Sequence, residues 1–156
     1  MSEEERLVEI LTEKGYTITT AESCTGGLIS ATIVNAPGAS AVLNEAYVTY
    51  ANESKEKLVG VHKETLATLG AVSEETARQM AIGAAKAAGA DVALSSTGIA
   101  GPGGGTKEKP VGLVYVGCYV KGKVNVLKCN FNGSRSEVRE KTVKTAISLA
   151  LKQLCL

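Results

Sequence analysis

Two β-prone runs near the end of the chain, VGLVYVGCYV (111–120) and KVNVLKCNF (123–131), are separated only by Lys121-Gly122. A two-residue turn containing glycine closes an antiparallel hairpin. Earlier in the chain the β-prone runs YTITTA (16–21), AYVTY (46–50) and DVALSS (91–96) alternate with helical stretches. Strands interleaved with helices and finished by a hairpin predict a three-layer α/β/α sandwich built on a mixed sheet. At 156 residues the chain has the length of a single domain, 1–156, with a real core.

The helical stretches carry their own start and stop signals. Ser2 caps a helix over 2–14, Glu3 to Glu5 suit its positive end, Leu7, Ile10 and Leu11 form its apolar stripe, and Gly15 stops it. A short helix begins near Gly27, with Leu28, Ile29 and Ile33 on one side, and NAPG (35–38) ends it. Asn52 is positioned to cap a short charged helix carrying Lys55, Leu58 and Val59. A further piece covers 63–69 and stops at Gly70. Ser73 caps an alanine-rich helix running to about Gly89, whose small residues allow close packing on a neighbour. Ser134 opens a last long helix with Val138, Val143, Ile147, Leu151 and Leu154 on one side.

Composition removes several functions. The net charge of +1 gives no general electrostatic basis for binding nucleic acid or an acidic membrane. No Trp and one Phe leave no stacking platform for single strands. No apolar run reaches the roughly 20 residues of a membrane span, and MSEEER is acidic where a signal peptide is basic, so a cytoplasmic protein is expected. Cys24, Cys118, Cys129 and Cys155 are widely spaced, and with the single His62 they make a poor zinc set. They read as free thiols, and no metal or cofactor is expected.

Three stretches carry chemistry. In AESCTGG (21–27) a strand runs through a turn into a helix, where backbone N–H groups suit an anion or a developing oxyanion. Ser23 is placed as a nucleophile or a phosphate-binding hydroxyl, while a plain helix cap by Ser23 or Thr25 fits equally well. Gly26 and Gly27 let a ligand approach the backbone. Cys24 lacks a base, since His62 lies in a charged, surface-like segment, so a structural thiol is the simpler reading. Without a histidine, a serine is activated by a neutral lysine, whose pKa must fall by several units. Lys55 follows a strand end and Tyr50 sits on that end, placed to connect the two by hydrogen bonding. A solvated surface role for Lys55 also fits its surroundings, ESKEK. The third stretch, SSTGIAGPGGG (95–105), is neither a Walker A loop nor a dinucleotide fingerprint, yet its glycines suit a phosphate cradled by backbone amides. Arg135 and Arg139 lie one helical turn apart, on a surface face or against a phosphate.

Together and in this order, TAESCTGG, VTYANESKEKLVGV, AVSEETARQMA and SSTGIAGPGGGTKEKPVGLVYVG closely resemble the CinA C-terminal domain family, the nicotinamide mononucleotide (NMN) deamidases also called PncC. The resemblance runs over roughly residues 3 to 154. It implies an α/β amidohydrolase that converts NMN and water to nicotinic acid mononucleotide and ammonia in pyridine nucleotide recycling. It also implies a homodimer, no metal and no cofactor. The family's catalytic serine falls on Ser23, its lysine on Lys55 and its tyrosine on Tyr50. Substrate contacts are expected at Thr25, Gly26, Gly27, Thr97, Gly98, Gly101 and Gly103. Many relatives carry a further domain ahead of this one, and the chain resembles the stand-alone form. The alternatives are a non-catalytic nucleotide-binding module of the same fold and a thiol enzyme using Cys24.

Overall fold

A computed structural model describes residues 1–156. Five strands form one sheet in the order β2-β1-β3-β4-β5: β1 (Ile18–Glu22), β2 (Tyr47–Val48), β3 (Val92–Gly98), β4 (Leu113–Val120) and β5 (Lys123–Asn130). β1 runs parallel to β2 and β3, while β3–β4 and β4–β5 are antiparallel. The mixed sheet and its terminal hairpin are therefore as the sequence predicts, with Lys121 in the left-handed region at the turn (φ 47°).

Helices cover both faces. On one face pack α1 (Glu3–Lys14), α2 (Leu28–Val34) and α6 (Arg135–Leu154). On the other lie α3 (Asn52–Val59), α4 (Lys63–Thr68) and α5 (Glu74–Ala88). Ser2 and Ser134 each complete a capping box, with Glu5 and Glu137 reaching back, and Ser73 caps α5 by accepting from the Thr76 amide. Asn52 is not a cap. Ala51 holds that position without a side-chain bond, and Asn52 is the first residue of α3.

Strand alternation assigns side chains to faces. Ile18, Val92, Leu94, Val114, Val116 and Cys118 point into the α1/α2/α6 side, where they meet Leu7, Leu11, Ile29, Ile33 and Ile147. Ala21 and Ala93 point to the other side, against Val59, Met80, Ala84 and Ala85. The alanines of α5 pack on the sheet itself. A Cβ on Gly83 of α5 would lie 1.6 Å from the Val59 carbonyl oxygen, so α3 and α5 touch backbone to backbone there.

Three boundaries differ from the sequence reading. β1 extends to Glu22 because its end pairs with both β2 and β3. Only Tyr47 and Val48 of AYVTY form a strand, since they pair with just the last two residues of β1. Thr97 and Gly98, expected in the glycine loop, are the last residues of β3, where they pair with Tyr115 and Val114.

Candidate active site

Ser23 is the first residue past β1, and its amide donates to the Ser96 carbonyl on β3. It keeps the parity of Thr19 and Ala21 and so faces the α3 side. Lys55, in the first turns of α3, is 1% exposed and points back at the strand end. Its Nζ lies 3.0 Å from Ser23 Oγ, 2.8 Å from the Thr49 carbonyl oxygen and 3.2 Å from the Tyr50 carbonyl oxygen. None of the ion pairs in the chain involves Lys55. Burial pulls its pKa from 10.5 down to about 8. A neutral amine has two N–H bonds and one lone pair. With the two carbonyls taking the N–H bonds, the lone pair is left for the Ser23 hydroxyl.

Ser23, Lys55 and Tyr50 line one cleft of ≈ 260 Å³, together with Thr97, Gly98, Gly101 and Gly103. Tyr50 joins the pair differently from the sequence expectation. Its carbonyl accepts from Lys55, while its phenol oxygen accepts from Arg135 Nη2 at 3.1 Å. Ser23 and Lys55 meet directly, with no phenol between them. Thr97 donates its hydroxyl to the Ala71 carbonyl at 2.7 Å. Gly98 is required by the fold, because a Cβ there would lie 2.6 Å from the Leu113 oxygen, and Gly101 packs on Val111. Gly103 has open space around it.

Thr25, Gly26 and Gly27 do not line the cleft. Thr25 is fully buried, with Oγ1 2.7 Å from both Glu22 Oε1 and Ser96 Oγ. Gly26 sits against Arg139 and Gly27 against Val48. The reason is Glu22, which sequence reasoning passed over. Its fully buried carboxylate accepts from Thr20 Oγ1, Thr25 Oγ1 and the amides of Ile29 and Ser30. The start of α2, expected to receive an anion from outside, is filled by this internal one. Arg139, expected at the surface or on a phosphate, instead donates to the carbonyls of Cys24 and Thr25 at 3.0 Å each. The amides of Cys24 and Thr25 donate to no carbonyl and stand next to Ser23. An acidic residue one position before the serine, matched to short hydroxyl residues on either side, was the available signal for this internal cap.

Cys24 borders the cleft, and burial pushes its thiol up to about 11. It is therefore a protonated neighbour of the serine at neutral pH. No three His, Cys, Asp or Glu side chains converge where they would hold a metal ion, and no helix is long and apolar enough to cross a membrane.

Comparison with known proteins decides the family. The model of the CinA C-terminal domain matches residues 1–154. The chain belongs to the CinA C-terminal domain family. A CinA-like protein of Kosmotoga olearia is 54% identical over 151 residues, which are 97% of this chain and 37% of the relative. The chain thus spans little more than a third of the length of such curated relatives. Among solved CinA-type structures, the competence/damage inducible protein CihA from Agrobacterium tumefaciens is 43% identical with a TM-score of 0.92, covering 100% of this chain and 98% of its own. A CinA superfamily protein from Klebsiella pneumoniae is 33% identical with a TM-score of 0.94, covering 98% and 96%.

Proposed function

We propose that this CinA domain is an amidohydrolase that deamidates NMN to nicotinic acid mononucleotide and ammonia through a Ser23–Lys55 dyad. The observation that carries the reading is the buried, carboxylate-free Lys55 amine 3.0 Å from Ser23 Oγ. A lysine placed so, with its pKa near 8, is neutral in roughly a tenth of molecules at pH 7 and in most above pH 8, so it can serve as a base where an ordinary lysine stays a cation.

In the proposed reaction Lys55 takes the Ser23 proton as Oγ attacks the carboxamide carbon. The carbonyl oxygen becomes an oxyanion, placed against the amide of Cys24, which borders the cleft and donates to no carbonyl, such a donor being worth about 3 kcal/mol. Lys55 then returns the proton to the nitrogen, the C–N bond breaks, and ammonia leaves an acyl group on Ser23. Water, deprotonated by Lys55, attacks the ester; the carboxylate leaves and Ser23 regains its proton. The Tyr50 phenol, whose oxygen accepts from Arg135, keeps its own proton to donate and is the proposed relay. The loop from Ala100 to Gly104 is proposed to hold ribose and phosphate, since the amides of Ala100, Gly101, Gly103 and Gly104 donate to no carbonyl.

The test is ammonia release from NMN, with the product identified by mass, for the wild type beside Ser23→Ala and Cys24→Ala. Turnover is expected from the wild type and Cys24→Ala, and a loss of roughly a thousandfold or more in Ser23→Ala. Loss in Cys24→Ala with retention in Ser23→Ala would move the chemistry to the thiol, and a folded wild type without turnover would leave a binding module.

A further inference from the structure

Arg135 is the only arginine on the cleft and the first residue of α6, just behind the Ser134 cap. Its two terminal nitrogens reach two different segments. Nη1 donates to the Gly101 carbonyl at 2.9 Å in the glycine loop, and Nη2 donates to the Tyr50 phenol at 3.1 Å on the segment leading into α3. The guanidinium therefore straps α6, the loop and the Tyr50 segment together across the mouth of the cleft. Both acceptors are neutral, and none of the ion pairs in the chain involves Arg135. Its fork is shaped for an oxyanion pair, and a phosphate oxygen adds a charge–charge attraction that its two neutral acceptors lack. Lys55 is committed to Ser23 and two carbonyls. Arg139 is committed to the Cys24 and Thr25 carbonyls. Arg135 is thus the one cation of the cleft that can change partners without dismantling the dyad or its turn.

We infer that Arg135 selects substrates bearing a phosphate monoester, and that it does so by exchanging the Tyr50 phenol for a phosphate oxygen. Before substrate binds, Arg135 holds Tyr50 at the rim. A phosphate bridging Arg135 and the free loop amides draws the guanidinium off Tyr50. The phenol is then released to turn toward Ser23 and Lys55. Phosphate recognition and completion of the catalytic set become one event, so the phosphate raises kcat as well as lowering KM.

The inference rests on the deamidase reading, and the experiment separates the two. Rates are measured for NMN and for its phosphate-free nucleoside, with wild type and Arg135→Ala. Binding of ribose 5-phosphate is measured by calorimetry on wild type, Arg135→Ala and Tyr50→Phe. Arg135→Ala is expected to lose about 10- to 100-fold in kcat/KM on the nucleotide and less than about threefold on the nucleoside. Its affinity for ribose 5-phosphate is expected to fall by a similar factor. Tyr50→Phe removes the competing acceptor, so ribose 5-phosphate should bind it about two- to tenfold more tightly. Equal losses on nucleotide and nucleoside, or unchanged ribose 5-phosphate affinity in Arg135→Ala, would overturn the role of Arg135. Weaker sugar phosphate binding by Tyr50→Phe would overturn the exchange. If wild type turns over neither substrate while Arg135→Ala still loses ribose 5-phosphate, the deamidase reading fails and the phosphate site stands.

Discussion

The two faces of the sheet are built to different rules. The face under α1, α2 and α6 is thick, filled by branched and long aliphatic side chains such as Leu11, Ile18, Leu94 and Ile147. The face under α3 and α5 is thin. There Ala93 and Ala21 meet Ala84 and Met80, Ser95 donates its hydroxyl to the Ala77 carbonyl at 2.7 Å, and a Cβ on Gly117 would lie 2.9 Å from that same carbonyl oxygen. The thick side supplies most of the apolar burial. The thin side supplies short distances, and the Ser23–Lys55 pair lies on it. Because α5 sits close to the sheet and α3 touches it through Gly83, Lys55 reaches the strand end where Ser23 emerges.

The sharpest way to break this contrast is a side chain on the thin face. Gly83→Val drives a branched group into the Val59 carbonyl, so it should cost more than about 3 kcal/mol of stability. At a temperature where the variant is still folded, turnover should fall too, because α3 carries Lys55. Denaturant unfolding beside NMN turnover checks both, and a stable, active Gly83→Val protein would refute the close-packing argument.

A second test uses pH. The folded pKa of Lys55, about 8, lies below its ordinary value of 10.5, so the unfolded chain binds more protons between those values. Stability from this group should therefore rise with pH through that window and be absent below it. The gain is about 3 kcal/mol. Unfolding free energies of wild type and Lys55→Met should diverge by that order between pH 7 and 10.5, with the wild type gaining. In the same wild type kcat/KM should climb about tenfold per pH unit up to about 8 and then level. A flat rate profile, with chemistry rate-limiting, would remove Lys55 as the base.

The smallest effect belongs to the thick face. Ile147→Val should cost about 1 kcal/mol of stability and leave turnover per folded molecule and its pH profile unchanged. A shifted pH profile in this variant would show that the two faces do not act separately.

Local signals made the frame legible. The Ser2, Ser73 and Ser134 caps, the Gly15 and Gly89 stops and the Lys121-Gly122 turn each specify backbone geometry within a few residues. Residue type and strand-end position also marked Ser23, Lys55 and Tyr50, which the fold gathers at one cleft. What stayed hidden depends on partners distant in sequence. Arg139 looked like a surface arginine or a phosphate contact because its acceptors, the Cys24 and Thr25 carbonyls, lie 115 and 114 residues away in sequence. Glu22 was passed over, since the short hydroxyl residues around it hint at an internal cap but do not show that α2 turns the amides of Ile29 and Ser30 onto it. The glycine loop reaches the cleft, but its glycines carry a second demand. Gly98 is held against the Leu113 backbone and Gly101 against the Val111 side chain, a demand that composition does not distinguish from ligand approach.

Adjacent residues at the end of β1 face opposite ways, Glu22 toward α2 and Ser23 toward Lys55. A strand shifted by one residue exchanges them. The carboxylate would then meet the lysine, form an ion pair with it and raise its pKa, while the start of α2 lost its anion. One misplaced residue would turn a base into a permanent cation. The pairing of β1 with β3, from Ile18–Val92 to Glu22–Ser96, is thus also the device that keeps the lysine reactive.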